Sequence, residues 1–343
     1  MQMLTYIIKR ILLMLLTVFI IFTICFVLIK SLPQPPPVGN ADQVELELEL
    51  RDRLGYNRPI MEQYGIYLKN ILTEGNWGTS WKIEKFADVT DVLFSRITPT
   101  LVLNIYSLIF AIPLGIILGI IAALKKNKWQ DHLISTVVML FVSVPSYIYA
   151  FLVQYLLYFK VGGIFESDIY SITEAGTKLG YSAEVIKQMI ANGEAWKIYL
   201  SGPMFVSMIL PILSLAFGTI AGLARFTRAE LTEVLTSDFM LLARAKGLTK
   251  RQATVRHAMR NAMVPILPMI IGEFASVLSG SLIIEQIFGV PGVGALYLSS
   301  INLLDYDVFL FVGMFYTLIG LSASILIDLS YGFIDPRIRM GAK

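Results

Sequence analysis

The chain has 343 residues, 56% of them hydrophobic and only 15% charged, with a mean hydropathy of +0.68. An average soluble protein carries roughly 25% charged residues, so this balance indicates a membrane protein. The net charge of +3 is too small to argue for nucleic acid globally, and the lone cysteine, Cys25, excludes an intrachain disulfide framework or Cys-based metal site.

At the N-terminus Lys9 and Arg10 precede an apolar run from Ile11 to Ile29. That run is longer than the roughly 7–15 apolar residues of a cleaved signal and lacks a small-x-small exit, so it reads as a signal anchor and first transmembrane helix. A helix needs about 20 apolar residues to cross the hydrocarbon core. Six segments qualify, approximately 9–30, 98–124, 133–159, 203–227, 262–285 and 308–332. Lys and Arg in short flanks set orientation. Lys9 and Arg10, the turn with Lys125, Lys126 and Lys128, the loop after span four and the tail with Arg337, Arg339 and Lys343 all fall on one side, the cytoplasm. The connection 286–307 has no Lys or Arg and suits the outside. The expectation is an all-α polytopic protein with six spans and both termini cytoplasmic. Its organisation is a first helix (1–31), an extracytoplasmic segment (32–97), a five-helix core (98–335) and a cytoplasmic tail (336–343).

Two outer connections are long. Residues 31–97 open with the stiff PQPPP stretch, Pro33 to Pro37, and continue with ten acids against seven basic residues, which reads as a small folded cap. Within it Asn57 is expected to cap a helix with Pro59 in its first turn and Ile60, Tyr64, Tyr67, Leu68 and Ile71 at helical spacing. The insertion at about 160–202 contains SAEVIKQMIANG, a short surface helix with Ser182 as N-cap and Gly193 as stop. Spans two to four contain Pro113, Pro145 and Pro211, and Gly115 and Gly119 form a GxxxG pair. Proline permits a bend and paired glycines permit close helix contact.

Enzyme chemistry finds little purchase here. The two histidines, His132 and His257, sit at predicted cytoplasmic ends of spans, and there is no HExxH, GxSxG or phosphate-cradling G-x-x-x-x-G-K-[ST] sequence. No metal site is expected, and the chain should not bind ATP itself. Two acids fall inside spans: Glu273 near the middle of span five and Asp328 toward the cytoplasmic end of span six. A mid-bilayer charge costs about 2.5–3.5 kcal/mol on insertion scales, so Glu273 is the candidate for a polar translocation path, and Asp328 is expected to snorkel or to pair with a cytoplasmic Arg. Pro145 and Ser279 are the further candidates for that path.

The cytoplasmic loop at about 228–261 carries the strongest local signal. Its stretch ARAKGLTKRQATVRHAMRNA (243–262) has six Lys or Arg and no acid. A nucleic-acid patch, a helix against anionic headgroups and a docking element for a partner protein all compete for it. Its side of the membrane removes the need for nucleic acid. TSDFMLLARAKG has apolar or small residues at Phe239, Leu242, Ala243 and Ala245 and a glycine stop at Gly247, and TKRQATVRHAMRNA leads back into span five. A short glycine-broken helix held outside the membrane has the shape of a docking knob.

ARAKGL followed by RHAMRNA resembles the EAA loop of ABC-importer permeases, particularly the oligopeptide and dipeptide subfamily. The likeness extends in order through YIIKRILL, LGYNRPIMEQYGIYL, GNWGTS, IAALKKNKWQD, SVPSY, IEQIFGVPGVG and IDPRIRM, covering nearly the whole chain. The resemblance implies the type I ABC-importer permease fold in the bacterial plasma (inner) membrane, paired with a second homologous permease subunit. It also implies two cytoplasmic ATPase subunits that bind ATP and Mg, an extracytoplasmic peptide-binding (lipo)protein, surrounding membrane lipid, and no cofactor in this chain. Carried onto this sequence, the ATPase-coupling residues are Ser237, Asp238, Phe239, Leu242, Ala243, Arg244, Ala245, Lys246, Gly247 and Leu248, with Arg256 and Arg260 in support. The sequence departs from the pattern where the name-giving glutamate and first alanine become Leu241 and Leu242, and where the I-x-L-P end becomes His257-Ala258-Met259-Arg260. PQPPP also replaces a PGDP-like stretch, and the connection around 165–198 is longer than usual. Within the class, a nickel, glutathione or other small-solute importer is the alternative. Outside it stand a self-sufficient ion-coupled carrier and an intramembrane enzyme.

Overall fold

A computed structural model describes residues 2–161 and 165–334. The predicted tail, 336–343, lies outside the described residues. Among those described, helices dominate, and the only extended pairing is a single antiparallel bridge between Thr79 and Asp88. Helix α1 (Gln2–Lys30) is followed by α2 (Ala41–Arg53) and α3 (Ile60–Glu74) of the cap. Next come α4 (Val89–Leu124), α5 (Trp129–Ser143) and α6 (Ser146–Gln154), the last continued by a π-helical turn, Tyr155–Lys160. Short helices α7 (Ile172–Lys178), α8 (Ala183–Ala191), α9 (Trp196–Tyr199) and α10 (Gly202–Ser207) lead into α11 (Ile209–Leu235). The chain finishes with α12 (Asp238–Ala245), α13 (Lys250–Ala253), α14 (Met259–Ala275), α15 (Leu282–Ile287), α16 (Val293–Asn302) and α17 (Tyr306–Ile334).

Among the described residues, five stretches are long and apolar enough to cross a membrane: Ile7–Lys30, Val89–Leu124, Ile209–Leu235, Lys250–Ser279 and Tyr306–Ser330. The expected third span is instead a pair, Trp129–Ser143 and Ser146–Lys160, bent by 105°. Pro145 accounts for the break, because a residue before proline is pushed out of the α region, and Val144 is extended with φ −92° and ψ 129°. The fifth span also stops earlier than expected, at Ser279. Gly280 follows with φ +61° and ψ −177°, a backbone open to glycine alone, and the chain then restarts as α15.

The most extensive helix pairing is α4 with α11. A Cβ added at Gly115 would sit 2.7 Å from Leu223 Cβ, and one at Gly119 only 2.7 Å from the Ala224 carbonyl oxygen and 2.5 Å from Thr227 Cβ. The glycine pair thus does what the motif implies, letting two backbones approach where any side chain would hold them apart. The insertion packs into the main core rather than lying loosely on it. Ile169, Ala175, Ile186 and Ile198 are buried with Leu103 of α4, Ala150 of α6 and Leu210 of α11. Ser182 caps α8 as expected, its hydroxyl accepting from the Val185 amide, and Gly193 follows with φ +70°.

The cap is fastened at the start of α17. Asp305 accepts hydrogen bonds from Ser80 Oγ (2.7 Å) and the amides of Trp81, Lys82 and Ile83. Asp307 pairs with Lys30 Nζ at 2.6 Å, with the two side chains 0% and 2% exposed, and also accepts from Tyr56 Oη and Trp81 Nε1. The GNWGTS motif and the last residue of α1 are therefore held by one short acidic sequence. Burial, the nearby Asp307 carboxylate and its hydrogen bond to that group together raise the Tyr56 hydroxyl well above the usual phenol range. Helix α3 forms from the predicted apolar stripe, with Tyr67 buried and Tyr64, Leu68 and Ile71 packed beside it against Phe22 and Phe26 of α1. Asn57 does not cap it. Its side-chain amide donates to Asp52 at 3.3 Å, and Pro59 takes the N-cap position without a side-chain bond.

Candidate functional site

The loop between α11 and α14 is an ordered knob. Helix α12 runs Asp238–Ala245, within one residue of the expected Ser237–Lys246 at each end. Asp238 lies in its first turn and Arg244 in its last, signs that complement the helix dipole. Ser237 occupies the N-cap, but its hydroxyl donates back to the Val234 carbonyl at 2.6 Å rather than capping. At the other end the Leu248 amide donates to Ala243 O (3.3 Å) and the Gly247 amide to Arg244 O (3.0 Å). These are the paired bonds of a Schellman turn, and Gly247 supplies its left-handed residue with φ +88°. No atom lies within 4 Å of a Cβ built there, so it is backbone conformation and not space that selects glycine.

One face of α12 is seated and another is presented. Met240 and Ala243 are buried against Ala123 of α4, Leu231 of α11 and Ala253, Ala258 and Ala262 of the returning segment, with Leu248 packed alongside. Small alanines bring these backbones close, as expected for a knob held against the ends of the bundle. Phe239 and Leu242, spaced i,i+3 on another face, are 41% and 58% exposed, and Leu241 is 63% exposed. Arg244, Ala245 and Lys246 are exposed as well. Thr249 begins the return with a capping box to Gln252, and a π-helical turn, Thr254–Ala258, carries Arg256 and His257 into α14, where Arg260 is exposed.

The path candidates are dispersed. Glu273 lies two residues before the end of α14, half-buried, on a helix that packs against α11. It is thus at a helix end near the Gly280 break and not at the middle of a continuous span. Pro145 stands at the α5–α6 break, and α6 packs on α11 and α15. Ser279 closes a 3-10 turn that packs with α4, α16 and α17. Helix α11 packs on both α14, which carries Glu273, and α6, which follows the Pro145 bend, while the turn with Ser279 packs on α14 but not on α6.

Sequence reasoning passed over three buried groups. Glu285 is fully buried, its carboxylate receiving Thr100 Oγ1 at 3.0 Å and the Ala295 amide at 3.0 Å. Burial pushes this carboxyl upward, against the opposing hydrogen bonds from Ala295 and Thr100. Gly292 packs on it so closely that a Cβ would lie 2.4 Å from Glu285 Oε2. Asp131 makes a bidentate pair with Arg228 (2.6 and 2.9 Å) and accepts the Asn127 amide, fixing the α4–α5 turn to α11. Asp305 and Asp307 are the third. The signal available was an acid bordering a glycine-rich or apolar run. Asp328, which was expected to find a cytoplasmic Arg, pairs with Arg10 at 2.9 Å. Among the described residues there is no cluster of His, Cys, Asp and Glu able to bind a metal.

Comparison with known proteins bears on what this knob serves. Residues 115–340 match the family described as binding-protein-dependent transport system inner membrane component, and residues 3–85 match its N-terminal counterpart. The dipeptide transport system permease DppB of Bacillus subtilis strain 168 is 34% identical, and the glutathione transport system permease GsiC of Escherichia coli K12 is 32% identical. Each alignment covers 98% of this chain and 99% of the relative. A crystal structure of an amino acid ABC transporter with histidines aligns with 71% of this chain and 94% of its own at 19% identity and a TM-score of 0.45. By full-length sequence similarity, this chain belongs to the inner membrane components of binding-protein-dependent transport systems, the permease subunits of ABC importers.

Proposed function

We propose that this permease passes oligopeptides or dipeptides across the inner membrane by alternating access, and that α12 is the helix through which partner ATPases drive it. In this reading it pairs with a second homologous permease, receives peptide from an extracytoplasmic binding protein, and is powered by two cytoplasmic subunits that hold ATP and Mg. The termini and α12 then face the cytoplasm. The observation that carries the reading is the divided surface of α12. Met240 and Ala243 lock it to the bundle, while Phe239, Leu241 and Leu242 stand exposed beyond it. An apolar patch rigidly presented from an ordered loop is what a docking helix requires. ATP-driven closure of the ATPases then moves α12, and α11 and α14, between which it is strung, transmit the displacement.

The test is reconstitution. The chain alone should be inert, whereas co-expression with its ATPases and binding protein should give ATP-dependent peptide uptake. Uptake by the purified single chain would instead establish an ion-coupled carrier. Leu242→Asp should release the ATPases during co-purification while leaving thermal unfolding of the membrane bundle near wild type. Glutathione is the second reading, supported by the glutathione permease relatives at nearly the same identity as the dipeptide one. Ligand identification on the cognate binding protein separates the two.

A further inference from the structure

We propose that a cavity between the α4–α5 turn and α12 binds the phosphate group of an anionic phospholipid, tying the loop helix to the membrane surface. The cavity has a volume of about 400 Å³ and gathers Lys126 and Lys128 from the turn, Arg244 from α12 and Lys250 from α13. Thr232, Thr236 and Thr254 also line it, and no Asp or Glu does. None of the four cations has a carboxylate partner among the described residues. The acid nearest in sequence to the turn, Asp131, is already occupied by Arg228, and Glu233 and Asp238 are exposed outside the lining. The Thr232 hydroxyl is buried without a hydrogen-bond partner.

Four like charges around one cavity repel one another, and an anion that accepts from several of them removes that cost. A phosphate diester provides a full charge and two free acceptor oxygens. The remaining wall is apolar, formed by Leu124, Leu235, Met240 and Leu241, so the glycerol and first acyl carbons of a lipid find a surface that a free phosphate would leave empty. Leu124 is also the last residue of a membrane-spanning helix, which sets the cavity at headgroup depth. A bound headgroup would bridge the α4–α5 turn to Arg244, making the seating of α12 depend on lipid composition. The inference holds whether or not the cargo is a peptide.

The experiment uses the complete importer in phosphatidylcholine nanodiscs with or without phosphatidylglycerol, reading lipid retained on the released complex by native mass spectrometry. Wild type should retain phosphatidylglycerol over phosphatidylcholine, and Lys126→Gln/Lys128→Gln should weaken that retention on the order of tenfold, two cations being removed. Lys125→Gln/Arg251→Gln removes the same charge outside the cavity and should retain lipid as wild type does. Thermal unfolding establishes that both variants fold. Equal loss in the two variants, or no preference in wild type, overturns the site. Competition with inorganic phosphate identifies the source. Lipid that resists displacement supports the headgroup, and displacement by free phosphate overturns the lipid assignment in favour of a soluble phosphate ligand.

Discussion

Lys30 and Asp307 show how a single pair can fix the cap to the helical bundle. Both are excluded from solvent, so each is tolerable only because the other is there. Asp307→Asn leaves a buried ammonium without its counter-ion and should cost about 3–5 kcal/mol, read as a large loss in thermal stability. Replacing both with apolar residues, Lys30→Met with Asp307→Leu, should recover part of it, and a double-mutant cycle gives the coupling. Little of this was legible in the sequence, because the partners are 277 residues apart and no local pattern joins them. Asn57 failed for the converse reason. Its residue type suits a cap, but Asp52, five residues earlier, takes the side chain. Gly247 was legible, since a glycine closing a short amphipathic stretch has few other uses, and its φ of +88° supplies the reason.

At the scale of elements, the helices were readable wherever an apolar stretch met a charged or polar boundary, and their breaks were not. Proline inside a membrane helix is often accommodated, as Pro113 is within α4, so Pro145 alone did not announce a 105° bend. Gly280 was similarly hidden in an apolar run. The GxxxG pair was readable as a motif but not as part of the most extensive helix pairing in the bundle. Gly119→Leu would drive a side chain into Ala224 and Thr227, and should cost roughly 1–3 kcal/mol or more through overpacking, checked by thermal unfolding in detergent. Gly65→Ala is the matched control. It lies inside α3 with nothing within 4 Å of a new Cβ, so it should stabilise by about 0.5–1 kcal/mol through helix propensity. The seating of α12 carries a similar warning. Ala243 is buried among other alanines, so Ala243→Arg perturbs packing as well as docking, whereas Gly247→Val strains only the turn.

For the whole molecule, the structure joins a cap, a bent helical bundle and a seated loop helix into one chain of packed elements. Residues 205–290 run through most of them: α11 leads out to α12, and α14 returns packed against α11 and carrying Glu273. In the proposed mechanism, motion of α12 would reach Glu273 through α11 and α14, the two helices it connects. Glu273→Ala should change substrate preference or the basal ATPase rate of the assembled importer while leaving assembly intact, and loss of the permease pair would assign it a structural role. The ordered series of motifs made the family legible across the chain. The identity of the cargo was not: relatives named for dipeptide and for glutathione transport match at nearly the same identity.

The most direct measurement is ATP-driven peptide uptake by proteoliposomes containing the complete importer with Gly247→Val. The φ of +88° disfavours a β-branched residue, so the Schellman turn that ends α12 should be lost without disturbing the bundle. The account predicts uptake abolished, with the complex still assembled in the membrane and its thermal unfolding near wild type. Normal uptake by that variant would contradict the assignment of α12 as the coupling helix.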